Sequence, residues 1–476
     1  MNTDCLYIDG RWLESRNKNC HPVSNAGTGE IIYSVPEASR EEIDSAIDAA
    51  SRAFPRWSAT SVTDRQDVLH SIRDGIIDRQ EEIASTWATE VGMPISAARV
   101  AITALPVLVI EGLVEILEEF RMEEVLNHSV LLHEAVGVVA SITPWNFPFS
   151  QIAIKVATAI AAGCTVVVKP SELAPGCPLL FAEIFENAGA PTGVFNLVSG
   201  SGSEVGEFLV SHPATSMVSF TGSTKTGVRI LKAASTGIKR STLELGGKSP
   251  FVILPDAEIE AAVLWGMESC FRNNGQTCTS LTRFLVPRKL MDQVAEIAKL
   301  CAEGLIVGDP LEPSTDLGPV ISASQRDRVW GYIRAGIDNG GDLITGGLGV
   351  PSGLDRGFFV KPTVFSNVDQ ASAIANEEIF GPVLSIIPYE TPQEALMIAN
   401  DSDYGLAAAV WGTDLEEADV FGRQLSAGTI TVNGEVFNPA APFGGLRKSG
   451  LGHELGIYGF REYLQTKVLN SPKIDK

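Results

Sequence analysis

Between residues 134 and 245, short apolar runs alternate with single helical stretches, and this alternation restricts the fold more than any other feature of the chain. The strand-like runs fall at 134–142, 165–168, 194–198, 217–220 and 242–245, with helical patterns at 177–188, 203–210 and 224–234. Apolar strands spaced in this way build right-handed βαβ units around a parallel sheet covered on both faces. A second series follows, with helices predicted at 256–273, 288–303, 322–339, 392–400 and 414–425 and strands at 282–286, 383–389, 406–411 and 428–433. The fold class is therefore α/β, two doubly wound domains meeting near Gly246-Gly247. Before the first series come short strands within 1–35 and a helix opened by the capping box Ser39 to Glu42. A longer helix opens at Thr63 and ends near Gly92, and a third helical run covers roughly 96–120. Residues 461–469 read as an exposed apolar strand, which invites pairing with another copy of the chain.

A length of 476 residues exceeds one core and suits two or three domains. The net charge of −22 repels polyanions, so nucleic acid is excluded as a partner. Seven cysteines stand singly at 5, 20, 164, 177, 270, 278 and 301, which argues for a reducing compartment over a disulfide framework. The histidines form no metal-binding spacing, so no metal site is expected. The N-terminus lacks the pattern of a signal peptide, and the apolar stretch near 101–116 is interrupted by Pro106, Glu111 and Glu115, too short to span a bilayer. A cytoplasmic protein without membrane attachment is the expectation.

Several strand ends carry chemically suggestive residues. The predicted helix 256–273 stops at Asn273-Asn274-Gly275, a left-handed ending, and Cys278 follows in a loop before the next strand. A cysteine held between rigid elements is a nucleophile candidate, although lone cysteines more often serve as small core residues. Pro144 and Pro148 lock a turn around Asn146, whose amide suits an oxyanion donor or, more modestly, a cap for the following helix. Lys169-Pro170-Ser171-Glu172 offers a cation and a carboxylate to sugar hydroxyls. Phe220-Thr221-Gly222-Ser223 opens a helix N-terminus suited to pyrophosphate. Glu244 ends a strand just before two glycines, where a buried carboxylate can take a proton from water. Each feature alone also has an ordinary structural explanation.

Together with Gly275-Gln276-Thr277-Cys278, Glu377-Glu378-Ile379-Phe380-Gly381 and Pro442-Phe443-Gly444-Gly445, these motifs occur in one order, and the set resembles the NAD(P)-dependent aldehyde dehydrogenase superfamily over nearly the whole chain. The resemblance implies Cys278 as nucleophile, Glu244 as general base and Asn146 as oxyanion donor beside the Cys278 backbone amide. It implies cofactor contacts from Ile142, Thr143, Pro144, Trp145, Lys169, Ser171, Glu172, Phe220, Thr221, Gly222, Ser223, Gly227, Leu245, Gly246, Glu378 and Phe380. Lys155 and Glu454 match a proton relay, and Phe147, Phe437 and Phe443 the substrate entry. It further implies a Rossmann-like NAD-binding domain from 1–117 and 137–246, a catalytic domain from 247–447, and an oligomerisation element from 118–136 and 460–476, giving a homodimer or homotetramer. Thr277 and Thr279 flank the nucleophile where some relatives carry cysteines, and Arg447 replaces a commoner lysine.

A free thiol of pKa ~8.5 is only a few per cent ionised at neutral pH, so the site must help it. Glu244 would take the Cys278 proton, the thiolate would attack an aldehyde, and water activated by Glu244 would hydrolyse the resulting thioester to an acid. Glu172 would repel a 2′-phosphate, favouring NAD over NADP. No arginine lies between Val432 and Phe443 to hold a second carboxylate, which favours an uncharged aliphatic or aromatic aldehyde. A semialdehyde dehydrogenase, acyl transfer to coenzyme A, and a non-catalytic cofactor-binding descendant are the alternatives.

Overall fold

A computed structural model describes residues 1–470, so residues 471–476 of the expected oligomerisation element lie outside the described residues. Two large sheets dominate. The first takes its centre from the alternating region, where Val138–Ile142, Thr165–Lys169, Met217–Thr221 and Arg240–Glu244 run parallel. Phe195–Leu197 extends it on one side, and the N-terminal hairpin Cys5–Ile8 and Arg11–Glu14 adds two antiparallel strands beyond that. On the other side Gly450–Leu451 returns from the far end of the chain to pair antiparallel with Leu243 and Glu244. The chain crosses to one side of Val138–Ile142 for 165–169 and to the other for 217–221. That reversal opens a crevice at the strand carboxyl ends, where ligands of such sheets bind.

The second sheet has seven strands in the order 342–345, 363–366, 383–389, 283–287, 250–253, 407–411 and 429–432. Only Asp342–Thr345 runs antiparallel to its neighbour. Pro250–Ile253, Asp342–Thr345 and Thr363–Ser366 were not among the expected strands; the last is a fully buried four-residue run without a period-2 signature. A separate antiparallel sheet joins Leu464–Asn470, Ser129–Ala135 and Glu123–Leu126. Both edges of this arm expose apolar side chains, Val125 and Leu126 on one and Val468 and Leu469 on the other.

The helices follow the sequence with three corrections. Ser39 and Glu42 do form a reciprocal capping box at Arg40–Ser58. The next helix is capped two residues earlier than expected, by Ser61 and Asp64, and the segment to Gly92 is two helices, Val62–Asp78 and Gln80–Val91, which part at Arg79. Asn146 caps nothing: the helix Pro148–Ala161 begins after Phe147 with no side-chain cap. The third correction concerns the apolar stretch. Ile95–Glu119 is one continuous helical segment of 25 residues with mean hydropathy 2.2 in its most apolar window, so its length and composition would allow it to cross a membrane. Pro106 does not break it, because the turn Thr103–Val107 widens to π geometry around the missing N–H. One face, including Ile102, Val109, Ile110 and Leu113, is buried in the main core, in contact with the helices Val62–Asp78, Pro148–Ala161 and Gly456–Glu462. That packing accounts for the apolar character of this face, while Val100 and Leu108 on the same segment are exposed.

Candidate active site

The loop carrying Cys278 is moulded by three amides. After Ile259–Phe271, Asn273 and Asn274 adopt left-handed backbone with φ of 51° and 61°, and Gly275 follows at 74°. A Cβ at Gly275 would stand 2.2 Å from the Gly381 carbonyl, so the close approach requires glycine. Asn274 donates to the Gly92 and Pro319 carbonyls, both at 2.8 Å, and accepts from the Gly318 amide at 2.7 Å. Gln276 donates to Val91 O at 3.3 Å and accepts from Ile321 N at 2.9 Å. Two segments, 91–92 and 318–321, therefore hold the loop just before the chain reaches Cys278, which is half-buried.

Asn146 faces this loop. Its Nδ2 donates to Gln276 O at 3.0 Å, which leaves the second N–H of the same amide for another acceptor. Its backbone carbonyl accepts from Trp87 Nε1 at 3.2 Å and Asn273 Nδ2 at 3.0 Å. Two independent anchors thus hold an otherwise flexible amide beside the cysteine loop.

Glu244 sits at the end of Arg240–Glu244, paired in register with Thr221, and is 3% exposed. Neither carboxylate oxygen has a hydrogen-bond partner among the described residues. Burial, and then the neighbouring Glu454, push its pKa well above the usual carboxylate range, while Lys155 opposes the rise. Lys155 and Glu454, expected as a relay, are both buried and form an ion pair. The Glu454 backbone exchanges two hydrogen bonds of 2.7 Å with Phe443, which ties the relay to the aromatic entry. The Cys278 thiol is pushed up to about 12, by burial first and then by Glu378 and Glu244. The resting electrostatics therefore oppose ionisation of the thiol, contrary to the sequence-based expectation that the site favours it.

Several of the remaining expected residues stand at the strand ends. Register places Ile142 beside both Phe220 and Lys169. The buried Thr143 hydroxyl has no partner among the described residues. Lys169 commits its ammonium to Pro170 O at 2.7 Å, Gly200 O at 2.6 Å and Glu172 at 3.4 Å. It therefore steadies Glu172, while Ser171 accepts from Leu173 N. Gly222 turns the chain into Thr224–Ser235, capped by Ser223, and Gly227 packs so closely that a Cβ would stand 2.7 Å from Leu245. Glu378 lies over Gly246-Gly247, accepts from Gly247 N at 3.2 Å, and is pushed up to about 7 by burial. A Cβ at Gly246 would stand 2.2 Å from its carboxylate. Trp145 meets Phe380 edge-on at 5.2 Å, beside the locked turn at Pro144. At the entry Phe147 packs on Trp87 and Phe437 on Phe443, with Phe437 47% exposed. Arg447 donates from one guanidinium nitrogen to both Asn400 O and Ser402 O.

One group escaped the sequence reading although its motif was noticed. Lys248 is 2% exposed, its ammonium has no partner among the described residues, and burial and Arg283 push its pKa down to about 7. The signal was its place after Gly246-Gly247, at the start of a fully buried strand. No group of side chains suited to hold a metal occurs among the described residues.

An α/β molecule with a half-buried cysteine near a buried amide and a buried carboxylate, beside a strand-end crevice, belongs to a narrow structural class. Residues 12–469 match the model of the aldehyde dehydrogenase family. The chain is 43% identical over 470 residues to a 3-succinoylsemialdehyde-pyridine dehydrogenase of a Pseudomonas species, covering 98% of each. A crystal structure of a cysteine-to-alanine mutant of aldehyde dehydrogenase C from Pseudomonas syringae, complexed with NAD+ and octanal, superposes with a TM-score of 0.98 at 44% identity, covering 99% of this chain and 98% of that one. Betaine aldehyde dehydrogenase of Staphylococcus aureus, in complex with NAD+, gives 0.95 at 35% identity, covering 98% and 95%. The chain belongs to the aldehyde dehydrogenase family.

Proposed function

We propose that this protein oxidises an uncharged aliphatic or aromatic aldehyde to its carboxylic acid with NAD, using Cys278 as nucleophile. Family membership supports the reaction class, and the juxtaposition of the Cys278 loop with the Asn146 amide, 3.0 Å from Gln276 O, carries the assignment of residues. The crevice suits a dinucleotide: the free Thr143 hydroxyl, the capped helix after Gly222 and the Glu172 carboxylate offer donors, an anion site and a ribose acceptor. Thr143, Lys169, Glu172, Ser223, Glu378 and Phe380 would hold it. Bound NAD supplies the hydride acceptor that no side chain can provide, turning the hemithioacetal on Cys278 into a thioester.

The chain's own residues do the rest. Because the thiol is held protonated, its proton leaves for Glu244 as the C–S bond forms, so no free thiolate accumulates. The second Asn146 N–H and the Cys278 amide take the developing oxyanion. Once the thiol proton has passed from Glu244 to solvent, the carboxylate draws a proton from water, which adds to the thioester carbonyl, and returns it to the departing sulfur as the acid and the Cys278 thiol are released. Lys155 and Glu454 bear on the charge of Glu244. Hydrolysis is favoured over acyl transfer to coenzyme A because a buried carboxylate faces the thiol. The apolar rings Phe147, Phe437 and Phe443 favour an uncharged substrate. Seven free cysteines suit a reducing, cytoplasmic setting. The domains are 1–117 with 137–246 for NAD, 247–447 for catalysis, and the arm from 118–136 and the C-terminal strand for assembly into a homodimer or homotetramer. Cys278→Ala should lower kcat by at least about a thousandfold while leaving NAD binding intact. Unchanged turnover would overturn the assignment.

A further inference from the structure

The buried polar chain does not end at the Lys155–Glu454 pair. Lys155 Nζ also donates to Ser219 Oγ at 3.0 Å, and the Tyr463 hydroxyl donates to the same oxygen at 3.2 Å. Ser219 is fully buried and Tyr463 is 3% exposed. Ser219 thus has both acceptor positions filled, which fixes its hydroxyl in one rotamer. No other side chain receives the Tyr463 proton among the described residues, so the chain stops inside the core instead of reaching water. A dead end of this kind cannot export protons, but it can hold the ammonium in place.

Tyr463 is also where the arm is rooted. Its carbonyl accepts from Val136 N at 3.0 Å and from Cys164 Sγ at 3.4 Å. Val136 directly follows the arm strand Ser129–Ala135, and Leu464–Asn470 begins at the next residue after Tyr463. Ser219 lies in Met217–Thr221, whose Thr221 pairs with Glu244.

We propose that Ser219 and Tyr463 are positioning residues: together they fix Lys155 beside Glu454 and Glu244, and thereby tie the general base to the root of the arm. The proposal rests on reading Glu244 as that base. The charged and titratable groups facing Glu244 are Glu454, Lys155 and Cys278, with Glu378 acting on the same thiol. Those facing Tyr463 are Glu454, Glu462 and Cys164, the last flanked by Arg65 and Arg240. Lys155 is the cation that opposes the raised pKa of Glu244. Without its Ser219 acceptor the ammonium settles on Glu454 alone, and Glu244 ionises at a higher pH.

The test is the pH profile of kcat for the full-length enzyme with NAD and a saturating generic aldehyde. Ser219→Ala should move the acid limb to higher pH and lower kcat at neutral pH about two- to tenfold, with recovery at alkaline pH and little change in KM for the aldehyde. Ser219→Thr, which keeps the hydroxyl, should restore the parent limb. Tyr463→Phe should shift the limb the same way by a smaller amount, and should add nothing in the Ser219→Ala background because it acts through that oxygen. An acid limb unmoved by Ser219→Ala, or a Tyr463→Phe effect that persists without Ser219, would overturn the proposal; so would loss of thermal stability as the sole effect. Glu244→Gln serves as the separate control. Full steady-state turnover in that variant would refute the base assignment itself, whatever the other variants do.

Discussion

Truncating Asn146 to alanine separates catalysis from folding. The side chain makes one hydrogen bond among the described residues, Nδ2 to Gln276 O at 3.0 Å. That carbonyl keeps a second donor, Asn273 Nδ2 at 3.3 Å, so it is not orphaned by the change. The Asn146 main-chain carbonyl keeps both Trp87 and Asn273. The stability loss should therefore be that of one replaceable hydrogen bond, about 1 kcal/mol. In the proposed mechanism the transition state loses far more, because the second N–H of the same amide serves as the donor to the developing oxyanion. Loss of such a donor costs about 2.7–4 kcal/mol, or roughly a hundred- to a thousandfold in kcat. Initial rates of reduced-nicotinamide formation with a generic aldehyde, measured beside thermal unfolding of the same samples, read both quantities. A drop in kcat below tenfold with an unchanged unfolding curve would refute the reasoning, since the amide would then be a scaffold only.

Three further expectations follow from other parts of the molecule. Glu172→Gln removes the carboxylate that Lys169 steadies, and the ratio of kcat/KM for NAD over NADP should fall about tenfold; an unchanged ratio would place the discrimination elsewhere. Glu90 is buried and hydrogen-bonded by Tyr33 and Gly176 N, with its pKa raised from 4.5 to about 7 by burial. The native state keeps a proton that the unfolded chain loses, so this stabilisation is complete below about pH 4.5 and fades by at most about 3 kcal/mol as pH rises through 7. Melting temperatures of the parent should fall more steeply between pH 5 and 8 than those of Glu90→Gln, and parallel slopes would contradict the assignment. Lysine at Val125 and Leu126 on the exposed arm edge should reduce the mass seen by light scattering, and an unchanged mass would place the assembly contact elsewhere.

What could be read from the sequence was whatever local chemistry repeats. Alternating apolar strands and helices gave the first sheet because each βαβ unit announces itself within about thirty residues. The capping box at Ser39 and the left-handed stop at Asn273-Asn274-Gly275 were equally local. The candidate cysteine, amide and carboxylate were singled out through motif order, since no spacing along the chain brings residues 146, 244 and 278 together. Pro106 misled because a proline is read as a break, whereas a widened turn absorbed it. Thr363–Ser366 was missed because a short strand buried on both faces has no alternation to display. Lys248, Ser219 and Tyr463 could not be singled out, because a lysine without a partner among the described residues and a hydroxyl with two are properties of tertiary contact alone.

The mould around Cys278 draws on both large sheets' surroundings at once. Asn274 and Gln276 are gripped from one side by the carbonyls of Val91 and Gly92 and from the other by the stretch 318–321. A fragment containing only the later half of the chain would own the sulfur but lack half the template that shapes its loop. The native shape of the loop should thus form only after the two halves dock.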